Sequence, residues 1–297
     1  MGSKMQPLIS VVIVSYNTAA LLADCLASLE GQRGLIREVA VVDNASSDDS
    51  VSVVKQRFPD VRLIAGTENI GFGRANNLAA GQCGGELLFL LNPDTRIEPG
   101  CIQAMIAYME EHPEIGMAGT ATFNDDGAPE PTAQSTYPGH NYAKDAFARL
   151  PGDIAWLLGS GLVVRRRVWE QIKGFDPDYF LYGEDVDLGL RVRKAGWPLG
   201  YAAEARIVHI GGQSERKSDP AAVFEKKMRG ELLFYRKHYP AATVRKIIRI
   251  RRLEAWWRRL TLRLAFQVGG DCERNRLKLI KYQVTSRVFR LDGGPQQ

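Results

Sequence analysis

The sequence predicts an α/β fold in which a mostly parallel central sheet is flanked by helices. Strand and helix patterns alternate through the first hundred residues, which is typical of parallel strands joined by helical crossovers. Residues 87–91 form an uninterrupted apolar run, LLFLL, as expected of a strand that is covered on both faces. The composition agrees, because 45% hydrophobic and 25% charged residues are ordinary for a globular protein.

Five strands are predicted before residue 124. The first is a β-branched run, and the second ends directly on Asp43. Short runs of this kind, bounded by Gly, Pro, Asn or Asp, are typical of strands. They are expected over residues 9–14, 38–42, 61–65, 86–91 and 115–123.

The helices between these strands are predicted from apolar spacing and from the residues at their ends. Thr18 can cap the first helix, Gly31 can end it, and Pro99 fits the first turn of the fourth. We expect helices over residues 18–31, 48–58, from 73 onward and over 99–112.

The pattern changes beyond residue 123. Residues 124–153 have little periodicity and many Asp, Gly, Pro and Ser residues, so we expect a long functional loop. Regular structure is expected again as a strand over residues 156–164, a helix near Val168, a helix over residues 184–194 and extended segments up to His209.

Charge is distributed unevenly along the chain. Residues 241–297 contain 14 Lys and Arg against 4 Asp and Glu, whereas residues 1–240 contain 25 against 30. The overall charge of +5 therefore hides a net +10 in the last segment. We predict an α/β domain over residues 1–240 and a basic, amphipathic, helical extension over residues 241–297.

Cysteine usage and hydropathy bear on the cellular compartment. The four cysteines show neither a CxxC pair nor metal-ligand spacing, so we expect reduced structural thiols and a cytoplasmic protein. We expect neither a membrane span nor a signal peptide, because no apolar run approaches about 18 residues.

Polar side chains follow two of the predicted strands at the point where each strand ends. Asp43 and Asn44 follow the second strand, and Asn92, Pro93 and Asp94 follow the fourth. Each group alone is typical of an ordinary Asx turn. The carboxyl ends of parallel strands meet at one edge, however, and ligands of open α/β sheets bind there. A carboxylate at that edge can hold a hard cation or a phosphate-bearing ligand through one.

Two further candidates lie in the second half. Glu184, Asp185 and Asp187 open a predicted helix, where N-terminal capping and the helix dipole explain any one of them but do not require all three. His209 stands between Val208 and Ile210, and a lone histidine beside apolar residues is more often structural.

Six segments, in order, resemble the pattern of glycosyltransferase family 2, and most closely its rhamnosyltransferase-like branch. The resemblance covers about residues 8–240. The segments are ISVVIVSYN, VVDNASSDDS, NIGFGRANN, LLFLLNPDT, KGFDPDYFLYGEDVDLGLRVRKAGW and VHIGGQS.

This resemblance implies a GT-A fold, with a nucleotide-sugar half over residues 8–123 and an acceptor half over residues 124–240. It also implies an inverting transfer from a nucleotide-activated sugar, assisted by Mg²⁺ or Mn²⁺ and without a covalent intermediate.

The resemblance also implies a donor site. Asp43 matches a carboxylate that accepts from N3–H of uracil or thymine, which favours UDP or dTDP over guanine nucleotides. Gly159 is expected to permit close backbone approach near the donor sugar. The expected donor-binding residues are Ser15, Tyr16, Asn17, Asp43, Asn44, Gly71, Arg74, Asn77, Asn92 and Gly159.

The remaining roles follow from the same resemblance. Asp94 matches a metal-binding aspartate, and His209 matches a histidine that contacts the metal or the diphosphate from the other side. Asn92 replaces the first Asp of the family motif, so metal affinity is expected to be modest. Asp185 matches the general base that takes the acceptor proton. We expect Glu184 to orient the acceptor or the base, and Asp187 to be a structural cap.

Three other features of the sequence bear on this interpretation. The segment from Gly71 to Asn76 imitates a dinucleotide fingerprint, but it follows the third strand rather than the first, which argues against a Rossmann dehydrogenase. Residues 165–167, all arginine, could grip the diphosphate or form a solvated turn. The basic tail lacks a recognised nucleic-acid module, so nucleic-acid binding is not expected.

The expected function is transfer of L-rhamnose from dTDP-rhamnose to a glycan acceptor, most often lipid-linked in this branch, in cell-surface polysaccharide synthesis. The alternatives are a UDP-sugar transferase of the same fold and a catalytically decayed peripheral binding protein. The tail is expected to lie on an anionic membrane at the inner face of the cell membrane. The competing interpretation packs it on the catalytic domain. The apolar side was assigned to Val244, Ile247, Ile248, Trp256, Trp257, Leu260 and Leu264.

Overall fold

The structure is a computed structural model that describes residues 9–211, 219–267, 269 and 272–290. The chain divides into two units. The larger unit draws its described residues from 9–137, 150–180 and 184–211, and the smaller unit from 138–149, 181–183 and the described residues after 218. Residues 219–240, which the sequence grouped with the larger domain, belong to the smaller unit.

A nine-stranded sheet forms the centre of the larger unit, as far as the structure describes it. Two short strands, β8 and β9, pair with each other separately. The strands are β1 (Ile9–Ser15), β2 (Ile36–Asp43), β3 (Arg62–Ala65), β4 (Leu87–Leu91), β5 (Thr95–Ile97), β6 (Met117–Phe123), β7 (Pro129–Glu130), β8 (Ala133–Gln134), β9 (Trp156–Leu157), β10 (Gly161–Arg165) and β11 (Leu199–His209).

The strand order of the large sheet is β3-β2-β1-β4-β10-β6-β11-β5, with β7 paired to β6. The first four strands are parallel, which confirms the prediction for this half. Strand β10 is antiparallel to both β4 and β6, whereas β6 and β11 are parallel to each other. The predicted α/β fold with a helix-flanked central sheet is therefore confirmed, and its second half is mixed.

Two apolar clusters cover the two faces of this sheet. Alternate residues of β4 point to opposite clusters, with Phe89 in one and Leu88 and Leu90 in the other. All five residues of β4 are buried, which explains the uninterrupted apolar run in the sequence. The flanking helices are α1 (Ala19–Leu29), α2 (Ser50–Arg57), α3 (Phe72–Ala80), α4 (Cys101–Glu111), α5 (Arg166–Ile172) and α6 (Glu184–Lys194).

Several predicted helix ends differ from the observed ones. Thr18 stands at the N-cap of α1, but its hydroxyl lies 2.8 Å from Ser15 Oγ, and the Asp48 carboxylate accepts from Ala19 N–H at 3.0 Å instead. Gly31 does not end the helical segment, because a 3₁₀ helix over Glu30–Leu35 directly follows α1.

Two more boundaries were wrong. Pro99 precedes the fourth helix, which begins after Gly100 at a left-handed φ of 83°. The single strand predicted over residues 156–164 is two strands, β9 and β10, because residues 158–160 turn between them.

The smaller unit contains three helices among its described residues: α7 (Pro220–His238), α8 (Ala241–Gln267) and α9 (Glu273–Val288). Their presence confirms the predicted helical extension. Helix α8 buries Val244, Ile247, Ile248 and Ala255. No helix in the described ranges has the length and hydropathy required to span a bilayer.

Candidate active site

The loops that follow β1 and β2 are tied together at the carboxyl edge of the sheet. Asn17 Oδ1 accepts from Ser47 N–H at 2.7 Å, and the Asn17 N–H donates to Ser46 Oγ at 2.9 Å. Asn17 has a left-handed φ of 56°, a conformation that asparagine tolerates better than most residues. Ser15 is buried behind this junction, whereas Tyr16 is 46% exposed and free to contact a ligand.

Asp43 carries a buried acceptor without a partner. The side chain is 2% exposed, and its Oδ2 accepts from Ser46 N–H at 2.9 Å. Its Oδ1 is buried and has no hydrogen-bond partner in the structure. A buried, unpaired carboxylate oxygen is costly unless a ligand supplies a donor. The Oδ1 atom therefore fits the N–H of a bound base.

Asn44 and Gly71 shape the neighbouring loop. The Asn44 amide donates to Asn69 Oδ1 and accepts from Ile70 N–H, both at 2.9 Å. Gly71 has a φ of +87°, and a β-carbon there would lie 2.6 Å from the Phe180 carbonyl oxygen. Only glycine fits at this approach. Asn44 and Gly71 therefore fix the segment between β3 and α3, and direct donor contact by them stays a prediction.

Arg74 and Asn77 also have protein partners. Arg74 Nε donates to the Pro177 carbonyl at 2.8 Å. The Asn77 amide both donates to the carbonyl of Phe175 and accepts from its N–H, each at 2.8 Å. These contacts fasten α3 to residues 175–177. Donor contact by Arg74 and Asn77 was predicted from sequence and stays untested.

Asn92 and Asp94 lie in the turn between β4 and β5. The Asn92 N–H donates to the Ser160 carbonyl at 3.1 Å, and its carbonyl accepts from Thr95 Oγ1 at 2.6 Å. The Asp94 carbonyl accepts from Ile210 N–H at 2.9 Å. The backbone thus holds both residues firmly, while their side chains remain half-buried and able to reach a ligand.

Strand pairing brings His209 to Asp94. Strands β5 and β11 are antiparallel, with His209 opposite Thr95. His209 Nε2 lies 3.4 Å from Asp94 Oδ1, and Nδ1 lies 2.9 Å from Glu130 Oε2. Burial lowers the pKa of His209, but hydrogen bonds and charges from Asp94 and Glu130 outweigh burial and raise its pKa to about 9. The last residues of the VHIGGQS motif, 212–214, lie outside the described part of the chain.

The side chains around Asp94 suit a cation that takes its remaining ligands from the substrate and from water. The described residues contain no group of three or more His, Cys, Asp or Glu side chains able to hold a metal. Asp94 would supply one donor, and His209 would supply a second only in its neutral form. Glu130 orients the far side of the imidazole, an arrangement common at metal-bound histidines. Mg²⁺ and Mn²⁺ suit such a site, because carboxylates, phosphate oxygens and water complete the shell.

A pair of acidic residues opens α6. Asp185 Oδ1 accepts from Val186 N–H at 2.8 Å, and the Gly159 backbone also hydrogen-bonds the carboxylate. Burial nevertheless raises the pKa of Asp185 above its ordinary value. Glu184 is 8% exposed and its Oε2 has no partner. Its pKa is raised by burial and then by the charge of Asp185. The pair can therefore hold a proton that an ordinary carboxylate would release.

Asp187 is held in an ion pair within α6. It is fully buried, and its Oδ2 accepts from Arg191 Nε at 2.6 Å on the same helix. Arg191 also donates to the carbonyls of Ile172 and Gly174. This ion pair makes Asp187 a structural residue that anchors α6, and its expected role as a cap stays a prediction.

Gly159 has open space beside the acidic pair. A β-carbon at Gly159 would lie 3.8 Å from the Asp185 β-carbon, which is ordinary contact, whereas one at Gly161 would lie 2.8 Å from atoms of Ile207 and Thr120. Packing thus requires glycine at Gly161 but not at Gly159, whose expected role beside the donor sugar stays a prediction.

The structure decides one question that the sequence left open and reveals one residue that the sequence did not indicate. Arg165 pairs with Leu87 at the amino end of β4, away from the carboxyl edge, and its guanidinium donates to carbonyls at the end of α4. Arg166 donates to the Gly85 carbonyl at 2.6 Å and Arg167 to the Pro113 carbonyl at 3.2 Å, so residues 165–167 are structural. Glu130 was missed, because it lies in an aperiodic segment and only the pairing of β7 with β6 brings it to His209.

The chain matches one family model and resembles several proteins of known function. A family model described as "Glycosyltransferase like family 2" matches residues 6–231. An N-acetylglucosaminyl-diphospho-decaprenol L-rhamnosyltransferase of Mycobacterium tuberculosis is 28% identical, over 93% of this chain and 98% of its own length. The O-antigen chain rhamnosyltransferase RfbN of Salmonella typhimurium is 21% identical over 70% of this chain and 68% of its own length.

A solved structure shares the fold. The mannosyltransferase PcManGT of Pyrobaculum calidifontis, solved with GDP-Man and Mn²⁺, superposes with a TM-score of 0.61 and 17% identity. The match covers 95% of this chain and 86% of that one. At this identity the likeness concerns the fold, which is GT-A.

Proposed function

The chain belongs to glycosyltransferase family 2, and we propose that it transfers L-rhamnose from dTDP-rhamnose, with inversion, to a lipid-linked glycan in cell-surface polysaccharide synthesis. The observation that carries the chemistry is the division of partners among its carboxylates. Asp94 faces an imidazole on the β5–β11 edge, whereas Asp185 is hydrogen-bonded by backbone groups at the start of α6. Asp94 is therefore suited to the site of the anionic leaving group, and Asp185 is suited to proton transfer.

The nucleotide would be held at the ends of β1 and β2. Asp43 Oδ1, buried and unpaired, would accept from N3–H of a thymine or uracil ring. Tyr16 is exposed beside this position and can cover the ring. Because thymine and uracil share the N3–H donor, a UDP-sugar is the second candidate donor.

The diphosphate would lie toward Asp94 and His209. A divalent cation, Mg²⁺ or Mn²⁺, would be held by these two residues and would offset the charge of the leaving diphosphate. Glu130 keeps the His209 ring oriented. Asn92 contributes a neutral carbonyl where a carboxylate would bind a cation more strongly, so we expect modest metal affinity.

Asp185 would take the proton of the acceptor hydroxyl as the bond to the sugar carbon forms and the bond to the diphosphate breaks. Its raised pKa makes it a better proton acceptor than an ordinary aspartate. Glu184, which shares the burial, would orient the base or the acceptor. A single displacement of this kind inverts the anomeric centre and needs no covalent intermediate.

The acceptor is proposed from the relatives. The M. tuberculosis relative, matched over nearly its whole length, is named for an N-acetylglucosaminyl-diphospho-decaprenol acceptor. We extend this substrate class, a sugar carried on a prenyl diphosphate, to the present chain. Such an acceptor would place the enzyme at the cytoplasmic face of a membrane.

A thermal-shift screen tests the proposal. The full chain is heated with dTDP-rhamnose, UDP-sugars or GDP-mannose, each with Mg²⁺ or Mn²⁺, and the favoured donor must raise Tm most. We expect dTDP-rhamnose to stabilise the chain and to be consumed when a prenyl-diphosphate-linked N-acetylglucosamine is added. Stabilisation by GDP-mannose alone would contradict the donor. A chain that no nucleotide sugar stabilises would be the decayed binding protein.

A further inference from the structure

Helix α8 has two apolar faces rather than one. The buried face contains Val244, Ile247, Ile248 and Ala255. On the opposite side, Leu253, Trp257, Leu260 and Leu264 recur at the four- and three-residue spacing that aligns side chains along a helix. The sequence had assigned Val244, Ile247 and Ile248 to the same side as the tryptophans. Packing separates them, because 100° per residue carries these residues to the far side.

The second face is exposed to an unusual degree. Its large apolar side chains stand out from the described part of the smaller unit. Their exposed fractions are 65% for Leu253, 62% for Trp256, 56% for Trp257, 41% for Leu260 and 54% for Leu264. Single exposed apolar residues are normal on protein surfaces, but a contiguous row of this kind marks an interaction site. We call Leu253, Trp256, Trp257, Leu260 and Leu264 the outer stripe.

A row of arginines runs beside the outer stripe. Arg245, Arg249, Arg252 and Arg263 are all exposed. Helical periodicity places Arg245, Arg252 and Arg263 between the stripe and the buried face, and places Arg249 at the edge of the stripe itself, between Trp256 and Leu260. Residues 241–297 as a whole carry a net charge of +10. The helix thus presents tryptophan and leucine outward with cations along one flank.

We propose that the outer stripe of α8 docks in the plane of an anionic lipid surface, with the arginine row against the phosphate headgroups. Tryptophan rings favour the headgroup region, and arginines near an anionic leaflet each add attraction. The 27-residue helix is long enough to cross a bilayer but is too charged and too low in hydropathy to do so, which agrees with in-plane binding. The biological purpose rests on the proposed function, since a prenyl-linked acceptor is found only at a membrane.

Charge favours lipid over a second copy of the chain as the occupant. Two copies meeting through this stripe would bring their arginine rows close to one another, and like charges repel in a desolvated interface. An anionic leaflet instead complements the row. Self-association is therefore the alternative that the experiment must detect.

Vesicle co-sedimentation of the full chain tests the proposal. Vesicles of equal parts phosphatidylglycerol and phosphatidylcholine are compared with phosphatidylcholine alone, at low and high salt. We expect binding to the anionic vesicles only, weakened by salt because the screening length shortens. The triple variant Leu253→Gln/Trp257→Gln/Leu264→Gln should lose binding. The variant Arg245→Gln/Arg249→Gln/Arg252→Gln should bind on the order of 100-fold more weakly.

Two controls make the result specific. Leu78→Gln changes an exposed leucine on α3 in the larger unit and should leave vesicle binding unchanged. Both stripe and arginine variants should keep the wild-type thermal shift with nucleotide, which separates this inference from the proposed function. Absence of anionic-vesicle binding at low salt overturns the inference. So does a wild-type dimer in sedimentation equilibrium that the stripe variant converts to monomer.

Discussion

Glu130 Oε2 lies 2.9 Å from Nδ1 of His209, so that the opposite ring nitrogen, Nε2, faces Asp94 at 3.4 Å. Glu130 comes from β7, His209 from β11 and Asp94 from the turn before β5. Three segments far apart in sequence therefore meet in one row of side chains. Glu130 holds the Nδ1 side of the imidazole and Asp94 Oδ1 faces its Nε2 side, so a cation bound by Asp94 would share this carboxylate with the row.

Glu130→Gln should weaken nucleotide binding that depends on Mn²⁺. The substitution removes the charge that orients His209, and losing such an outer partner typically costs about 10- to 100-fold in metal affinity. Calorimetric titration of the nucleotide with and without Mn²⁺ measures the effect, and metal-free nucleotide binding should change little. Unchanged Mn²⁺ dependence would show that Glu130 is only structural.

Asp94→Ala should abolish transfer and the metal-dependent part of nucleotide binding, because the diphosphate would lose its bridging cation. Asp125→Ala is the matched control. Asp125 is an exposed carboxylate that pairs with Arg96 of β5, the strand that follows Asp94, and its loss should leave both readouts intact. Calorimetry that finds normal Mn²⁺-dependent binding in Asp94→Ala would place the metal elsewhere.

Asp185→Asn should lower turnover by about 10² or more with near-normal donor affinity, because the amide keeps the hydrogen bonds but accepts no proton. In the wild type, kcat should fall on the acid side at a pH well above the ~3.9 of an ordinary aspartate, since burial raises the pKa of Asp185 and the base acts deprotonated. Single-turnover rates across pH measure both effects. Wild-type turnover in Asp185→Asn would move the base to another residue, with Glu184 the first to test.

Glu184→Gln should stabilise the protein in neutral and alkaline buffer. Burial raises the pKa of Glu184 in the folded chain. Above the unfolded value of ~4.3, the unfolded chain therefore releases a proton that the folded chain keeps. The free energy of unfolding then falls as pH rises toward the folded pKa. Glutamine removes this loss. We expect Tm to rise by roughly 2–4 °C on the alkaline side and little below about pH 5. Glu111→Gln, on the exposed end of α4, should show no pH-dependent difference.

Asp43 should select the nucleotide base. UDP and dTDP, whose bases carry N3–H, should compete with the donor at least ~10-fold better than CDP or GDP. Asp43→Asn retains the shape and can keep the Ser46 contact while turning its amide toward the base. This variant should therefore shift preference toward CDP, since N3 of cytosine is an acceptor. Competition series with the four diphosphates decide the question, and tighter binding of GDP by the wild type would refute the assignment.

Local pattern was enough to predict much of the core. The run over residues 87–91 predicted a strand covered on both faces, and the structure buries all five of its residues between two apolar clusters. The prediction worked because burial on each face acts directly on the residue at that position. The placement of Asp43 and Asp94 at strand ends followed in the same way, since chain direction is set by the parallel crossovers.

Long-range pairing decided the rest. Nothing in the local sequence specifies that β10 enters between β4 and β6 in the antiparallel direction, or that β7 carries Glu130 to His209. These pairings depend on which edges remain open once the parallel half has formed. Helix α8 also shows what local sequence leaves undecided, because its periodicity indicated apolar residues but not which of them are buried. Packing in the smaller unit buries Val244 and Ile248 and leaves Leu253 and Trp257 facing outward. Sequence determines which side chains prefer to leave water, whereas tertiary structure determines how many of them find a partner within the chain.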